Sequence, residues 1–110
     1  MAVYYVYANV DVAPPIVSLA KSDPPFTGGV VFWKIETDES DPNKRSQLVE
    51  SLAPPFRVET DKGESVATPR PATASGLDEA LMEAAALAKV NRSRPLRLVA
   101  GDGVVLRRWN

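Results

Sequence analysis

The chain has 110 residues, 45% of them apolar and 25% charged, and a formal net charge of −1; this is the make-up of one globular domain, residues 1–110, and not of a disordered or fibrous chain. It contains neither cysteine nor histidine, which excludes disulfides, thiolate nucleophiles, Ser-His and Cys-His catalytic pairs, Cys- or His-ligated metal, and any imidazole titrating near neutral pH. A domain of this size buries roughly 60–70% of the surface its unfolded chain exposes, so its core is thin and a second subunit would add stability.

The opening residues, MAVYYVYANVDV, lack the positive region and long apolar run of a signal peptide, and no run reaches the ~20 apolar residues needed to span a bilayer. A cytoplasmic protein with no membrane partner is expected, in keeping with the absence of cysteine. From Val3 to Val12 both faces are apolar, with Val3, Tyr5 and Tyr7 on one and Tyr4, Val6, Ala8, Val10 and Val12 on the other. That pattern reads as a strand inside a sheet. Ala13-Pro14-Pro15 must interrupt pairing, and Ile16–Ala20 is a short second strand.

Asp23–Gly29 is a turn by composition, and Val30–Glu36 a half-buried strand with Val31, Trp33 and Ile35 on one face and Val30, Phe32 and Lys34 behind. Asp41 followed by Pro42 predicts an N-cap and first helical residue, opening a helix that runs through Leu52 with an apolar stripe of Leu48, Val49 and Leu52. Pro54-Pro55 ends it. Phe56–Thr60, Lys62-Gly63 and Ser65–Thr68 predict a hairpin whose second strand Pro69 and Pro71 keep short or at an edge. Ser75 with Asp78 resembles a capping box for a helix over 76–90, whose face is Leu77, Ala80, Leu81, Ala84, Leu87 and Ala88. The tripeptides Ser18-Leu19-Ala20 and Ser51-Leu52-Ala53, each followed by a Pro-Pro-Phe run, raise an internal repeat, but their uneven offsets read better as chance recurrence.

The charge is unevenly spread. Between Lys89 and Arg108 stand six basic residues and one acidic, a balance of +5 that leaves −6 for residues 1–88. If Gly101-Asp102-Gly103 forms the loop of a closing hairpin, Ala100 faces Val104, Leu98 faces Leu106 and Arg97 faces Arg107. Leu96, Leu98, Ala100, Val104 and Leu106 then make one apolar face for the long helix to cover. The other face carries Arg97, Val99, Val105, Arg107 and Trp109, where opposed arginines require a nearby anion. Glu59 or Glu64 would supply it internally; a phosphate, a nucleic-acid backbone or an acidic partner would supply it from outside, with Trp109 as a stacking surface.

From about Arg57 onward, the order strand, turn, strand, helix "LDEALMEAAALAKVN" and hairpin "LRLVAGDGVVLRRW" resembles a family of small bacterial domains of unknown function. The matching residues are Glu79, Ala80, Ala84, Leu87, Ala88, Lys89, Asn91, Asp102, Gly103 and Arg107. The resemblance implies an α+β fold with the helix on one face of an antiparallel sheet, and no activity. It does not extend to the first 55 residues.

Other motifs carry little chemistry. Ser18-Leu19-Ala20-Lys21 matches the S-x-x-K pattern of penicillin-recognising serine enzymes, but the further motifs those enzymes need are missing. Glu36, Asp38, Glu39 and Asp41 form an acidic cluster suited to magnesium, calcium or acid–base work, although Asp41 already has a capping role and a solvated loop is the better reading. Tyr4, Tyr5, Tyr7, Phe32 and Trp33 are core or interface aromatics before they are a ligand cleft. Thr27-Gly28-Gly29 lacks the spacing and lysine of a phosphate loop.

The expected fold is α+β: an antiparallel sheet of five or six strands with two helices, the longer helix (76–90) packed on one face of the closing hairpin. The expected function is a small non-enzymatic binding or regulatory module acting through protein–protein contacts, self-associating as a homodimer, with no cofactor, no metal and no catalytic residue. The alternative is a nucleic-acid-binding protein using Arg92, Arg94, Arg97, Arg107 and Trp109. A third reading is an enzyme built on the acidic cluster 36–41.

Overall fold

Apolar residues on both faces of the first strand place it between two others. In the computed structural model, which describes residues 1–110 apart from Asp23, Pro25, Phe26, Asn91 and Arg92, strand β1 (Ala2–Asn9) lies between β2 (Ile16–Ala20) and β3 (Val30–Thr37), antiparallel to both. The strand stops at Asn9, whose side-chain oxygen accepts the Asp11 N–H at 2.9 Å, so Val10 and Val12 fall outside it. Helix α1 (Pro42–Leu52) begins as expected, with the Asp41 carboxylate accepting the Asn43 N–H at 2.9 Å and Pro42 in the first turn. Of its stripe only Val49 is buried; Leu52 is exposed.

Strand β4 (Arg57–Thr60) pairs with β5 (Leu96–Ala100), which pairs in turn with β6 (Val104–Trp109). The six strands of the described residues therefore form two three-stranded antiparallel sheets, β2–β1–β3 and β4–β5–β6, in place of the expected single sheet of five or six strands. Beside β3 lies the β5–β6 turn and, among the described residues, no further strand. Gly101 sits there with φ +57°, so close to the carbonyl oxygen of Phe32 that a Cβ on residue 101 would collide with it. The expected partner strand of β4 is reduced to bridges at Phe56–Arg70 and Glu59–Ser65, its ladder cut short by Pro69 and Pro71.

Helix α2 (Ala74–Val90) begins earlier than Ser75 would place it. Its cap is Thr73, whose hydroxyl accepts the Gly76 N–H at 3.0 Å and whose carbonyl accepts the Leu77 N–H at 2.9 Å. Leu77, Ala80 and Ala84 bury one helical face against β5, β4 and, in the other sheet, β2. A single core thus runs through both sheets: Val6, Ala8, Phe32 and Ile35 from the first meet Phe56, Val58, Leu96, Leu98 and Ala100 from the second, with the rings of Phe32 and Phe56 5.4 Å apart. Ser18-Leu19-Ala20 is strand and Ser51-Leu52-Ala53 closes a helix, so the repeated tripeptides mark no duplicated unit. No helix among the described residues is long and apolar enough to cross a membrane.

Two β-bulges reset the faces of the sheets, since one extra residue inverts the alternation beyond it. In β3, Val6 pairs with Trp33 and Tyr7 with Val31, leaving Phe32 as the extra residue. Phe32, Trp33 and Ile35 consequently all turn to the core, while Val31, expected beside Trp33 and Ile35, is 36% exposed. In β6 the loop Gly101-Asp102-Gly103 and the pair Ala100–Val104 are as expected, but Leu106 is extra. Leu98 therefore pairs with Arg107, and Arg97 with Arg108.

Candidate functional site

Register decides where the basic residues stand. On β4, Val58 and Thr60 are buried opposite Leu98 and Leu96, so Arg57 and Glu59 point to the other face. On β5 that face carries Arg97 and Val99, and on β6, beyond the bulge, Arg108. Glu59, Arg97 and Arg108 thus form one row across three strands, with Arg57 on the same face beside Val99. The Glu59 carboxylate lies 3.3 Å from Nε of Arg57 and 3.4 Å from a terminal nitrogen of Arg97. Arg57 also donates to the carbonyl of Gly101 at 3.2 Å. Glu59 is therefore the internal anion, one of the two anticipated.

The other basic residues expected to form a site are dispersed. Arg107 lies on the opposite side of the sheet from Arg97, donating to the carbonyl of Val10 at 2.6 Å and to Asp11 at 3.4 Å, which ties the second sheet to the end of β1. Trp109 pairs with Leu96 and packs against the core, offering no stacking surface on the arginine face. Both departures follow from the single extra residue at Leu106. Arg94 is an exposed residue 3.9 Å from Glu64, and Arg92 lies outside the described residues. Sequence reading missed Arg57 and Arg108. Arg57 had a signal, since residues two apart on a strand share a face and Glu59 was already named; Arg108 had none without the bulge.

The acidic cluster does not converge. Asp38 lies 3.6 Å from the terminal ammonium of Met1, Glu39 accepts the Asp41 N–H at 3.2 Å, and Asp41 caps α1. Among the described residues no three Asp or Glu side chains are grouped to hold a metal ion. Ser18 lies within β2 and Lys21 just beyond it, where three residues of extended chain span about 10 Å and point to opposite faces. The S-x-x-K chemistry, which needs serine and lysine in contact, has no such geometry here. Lys21 and Arg45 instead lie over the ring of Tyr4, 5.7 and 4.9 Å from its centroid. A cavity of about 120 Å³ between β2, α1 and the start of α2 is lined by Val6, Val17, Leu19 and Val49 together with Ser18, Ser46 and Thr73. Of these three hydroxyls, Ser46 donates to the Pro42 carbonyl and Thr73 accepts the Gly76 N–H. Away from these groups, Arg70 bridges Glu79 and Glu83 at 3.3 and 3.0 Å, and its hydrogen bond to Glu83 raises its pKa above the ordinary guanidinium value.

A second surface lies on the side of β2–β1–β3 that faces away from the core. Tyr5 and Val31 are 37% and 36% exposed there, and two adjoining shallow depressions share both residues. Lys34, Phe32, Trp33 and, from the β5–β6 turn, Asp102 also line one of them. No family model matches this chain, and neither a curated protein nor a solved structure matches it.

Proposed function

We propose that the chain is a small non-enzymatic binding module that acts in the cytoplasm through protein–protein contacts, first of all with a second copy of itself. The observation that carries this reading is the outer face of the β2–β1–β3 sheet, where the exposed Tyr5 and Val31 share a depression with a cation, Lys34, and an anion, Asp102. A two-fold axis through such a patch sets Lys34 of each copy against Asp102 of the other, so the surface complements itself. Covering it would also extend a thin core, as expected for a chain of this size. The similarity of residues 57–109 to small bacterial domains of unknown function adds to this proposal a fold and no activity. Nucleic-acid binding has less behind it, because Arg94, Arg97 and Arg107 each face a carboxylate and Trp109 packs inward.

Sedimentation equilibrium over a wide concentration range tests the proposal. The native chain is expected to dimerise, Val31→Lys to remain monomeric, and Lys34→Asp to weaken the dimer until combined with Asp102→Lys. A chain monomeric at every concentration, or a dimer indifferent to all three changes, would overturn it.

A further inference from the structure

We propose that the outer face of the β4–β5–β6 sheet is a binding site for a single phosphate-type oxyanion, held by Arg57, Arg97 and Arg108 around Glu59. This inference does not depend on self-association, which uses the other sheet. Three guanidiniums and one carboxylate share the face, an excess of two positive charges and the complement of a phosphate monoester dianion. The row Glu59–Arg97–Arg108 shows where the charge is uncompensated. Glu59 binds Arg97 on its β4 side, whereas Arg108, exposed on the β6 side, makes no ion pair among the described residues.

Arg97 and Arg108 are direct cross-strand partners, and like charges so placed repel each other. An oxyanion bridging their guanidiniums removes that repulsion and accepts the paired N–H donors that a guanidinium fork presents. The site is also largely preformed. The side chains of Arg57 and Arg97 are only 29% and 28% exposed, and both are fixed by Glu59. Glu59 takes up Nε of Arg57 and one terminal nitrogen of Arg97, and the Gly101 carbonyl takes one terminal nitrogen of Arg57, so the other terminal nitrogen of each guanidinium is the donor left for an oxyanion. Preorganisation of this kind lowers the ordering entropy that binding by loose surface arginines would cost.

The same geometry favours one phosphate group over a polynucleotide. A nucleic-acid strand needs cations repeated along its backbone and aromatic surfaces for its bases. Here Trp109 and Arg107 lie on the opposite side, and Arg94, next along the chain, is matched by Glu64.

The test is thermal unfolding of the full chain with inorganic phosphate titrated against sodium chloride at constant ionic strength, for the native protein, Arg108→Gln and, as control, Arg94→Gln. Phosphate is expected to raise the transition temperature saturably in the native protein and the control, with affinity falling about tenfold or more in Arg108→Gln, the share of one charge-assisted contact. Circular dichroism checks that Arg108→Gln folds. Arg108→Lys, which keeps the charge and loses the fork, is expected to fall between the two. No phosphate-specific stabilisation, or the same stabilisation in Arg108→Gln, would overturn the proposal. So would a labelled single-stranded oligonucleotide that binds more tightly than phosphate, with steep salt dependence, since the ligand would then be a polynucleotide.

Discussion

Replacing Gly76 by alanine puts the packing of α2 to a direct test, because helix propensity and tertiary contact pull in opposite directions there. In an exposed helix interior the change from glycine to alanine is favourable by about 0.8–1 kcal/mol. Gly76, however, is buried, and a Cβ placed on it would collide with the carbonyl oxygen of Pro71 while lying 3.0 Å from that carbonyl carbon and 3.2 Å from Cγ of the ring. The carbonyl cannot easily turn aside, since it accepts the Thr73 N–H at 2.8 Å. Relief requires the helix to move off the 71–73 segment. Overpacking of this kind costs about 1–3 kcal/mol, and losing the Thr73 cap in the process costs about 1 kcal/mol more. Set against the propensity gain, the net effect is a loss of about 1–3 kcal/mol. Urea denaturation followed by circular dichroism measures it, with Ser75→Ala, on the exposed side of the same turn, as the reference. A Gly76→Ala protein as stable as the native chain, or more so, would show that the close approach of Pro71 to the helix does not constrain it.

Thr73→Ala should cost about 1 kcal/mol and Ser75→Ala less than about 0.5 kcal/mol by the same denaturation assay, because only the threonine hydroxyl caps the helix. Leu98→Ala, at a fully buried position, should cost about 2–5 kcal/mol, whereas Leu52→Ala, 59% exposed, should stay within about 0.5 kcal/mol. Glu59→Gln leaves three arginines on one sheet face without their carboxylate; its melting temperature should fall, and fall further at low ionic strength than at high. Arg107→Ala removes a charged donor from the Val10 carbonyl and should cost about 1.5–3 kcal/mol, read as an earlier urea midpoint.

What the sequence made legible were features set by local chemistry. The Asp41-Pro42 helix start, the central position of the strand expected from Val3 to Val12 (β1), the Gly101-Asp102-Gly103 loop and the apolar face of the second helix all depend on neighbouring residues. The bulges at Phe32 and Leu106 do not. Both segments alternate acceptably without an extra residue, and the gain that selects the bulged form lies in the burial of Phe32 against Phe56 and in the reach of Arg107 to Val10, contacts between distant parts of the chain. The division into two sheets is hidden for the same reason, because it turns on the tight seat of Gly101 beside Phe32. The arginine site shares this fate. Glu59 could be anticipated as a counter-ion, but a one-residue insertion decides whether Arg107 or Arg108 stands in its row.

The bond between Arg107 and Val10 joins residues 97 positions apart, and it sets the order in which this molecule can be completed on the ribosome. The β2–β1–β3 sheet is built from residues up to Thr37, but its side carrying Val6, Ala8, Phe32 and Ile35 has nothing within that stretch to cover it. The helix and hairpin that cover it are synthesised later. Until residue 107 has left the exit tunnel, the nascent chain therefore exposes half a core, and the long loop that must close before that core is sealed makes the last step the slow one. A core shared between two sheets thus leaves neither sheet able to bury its own apolar side alone.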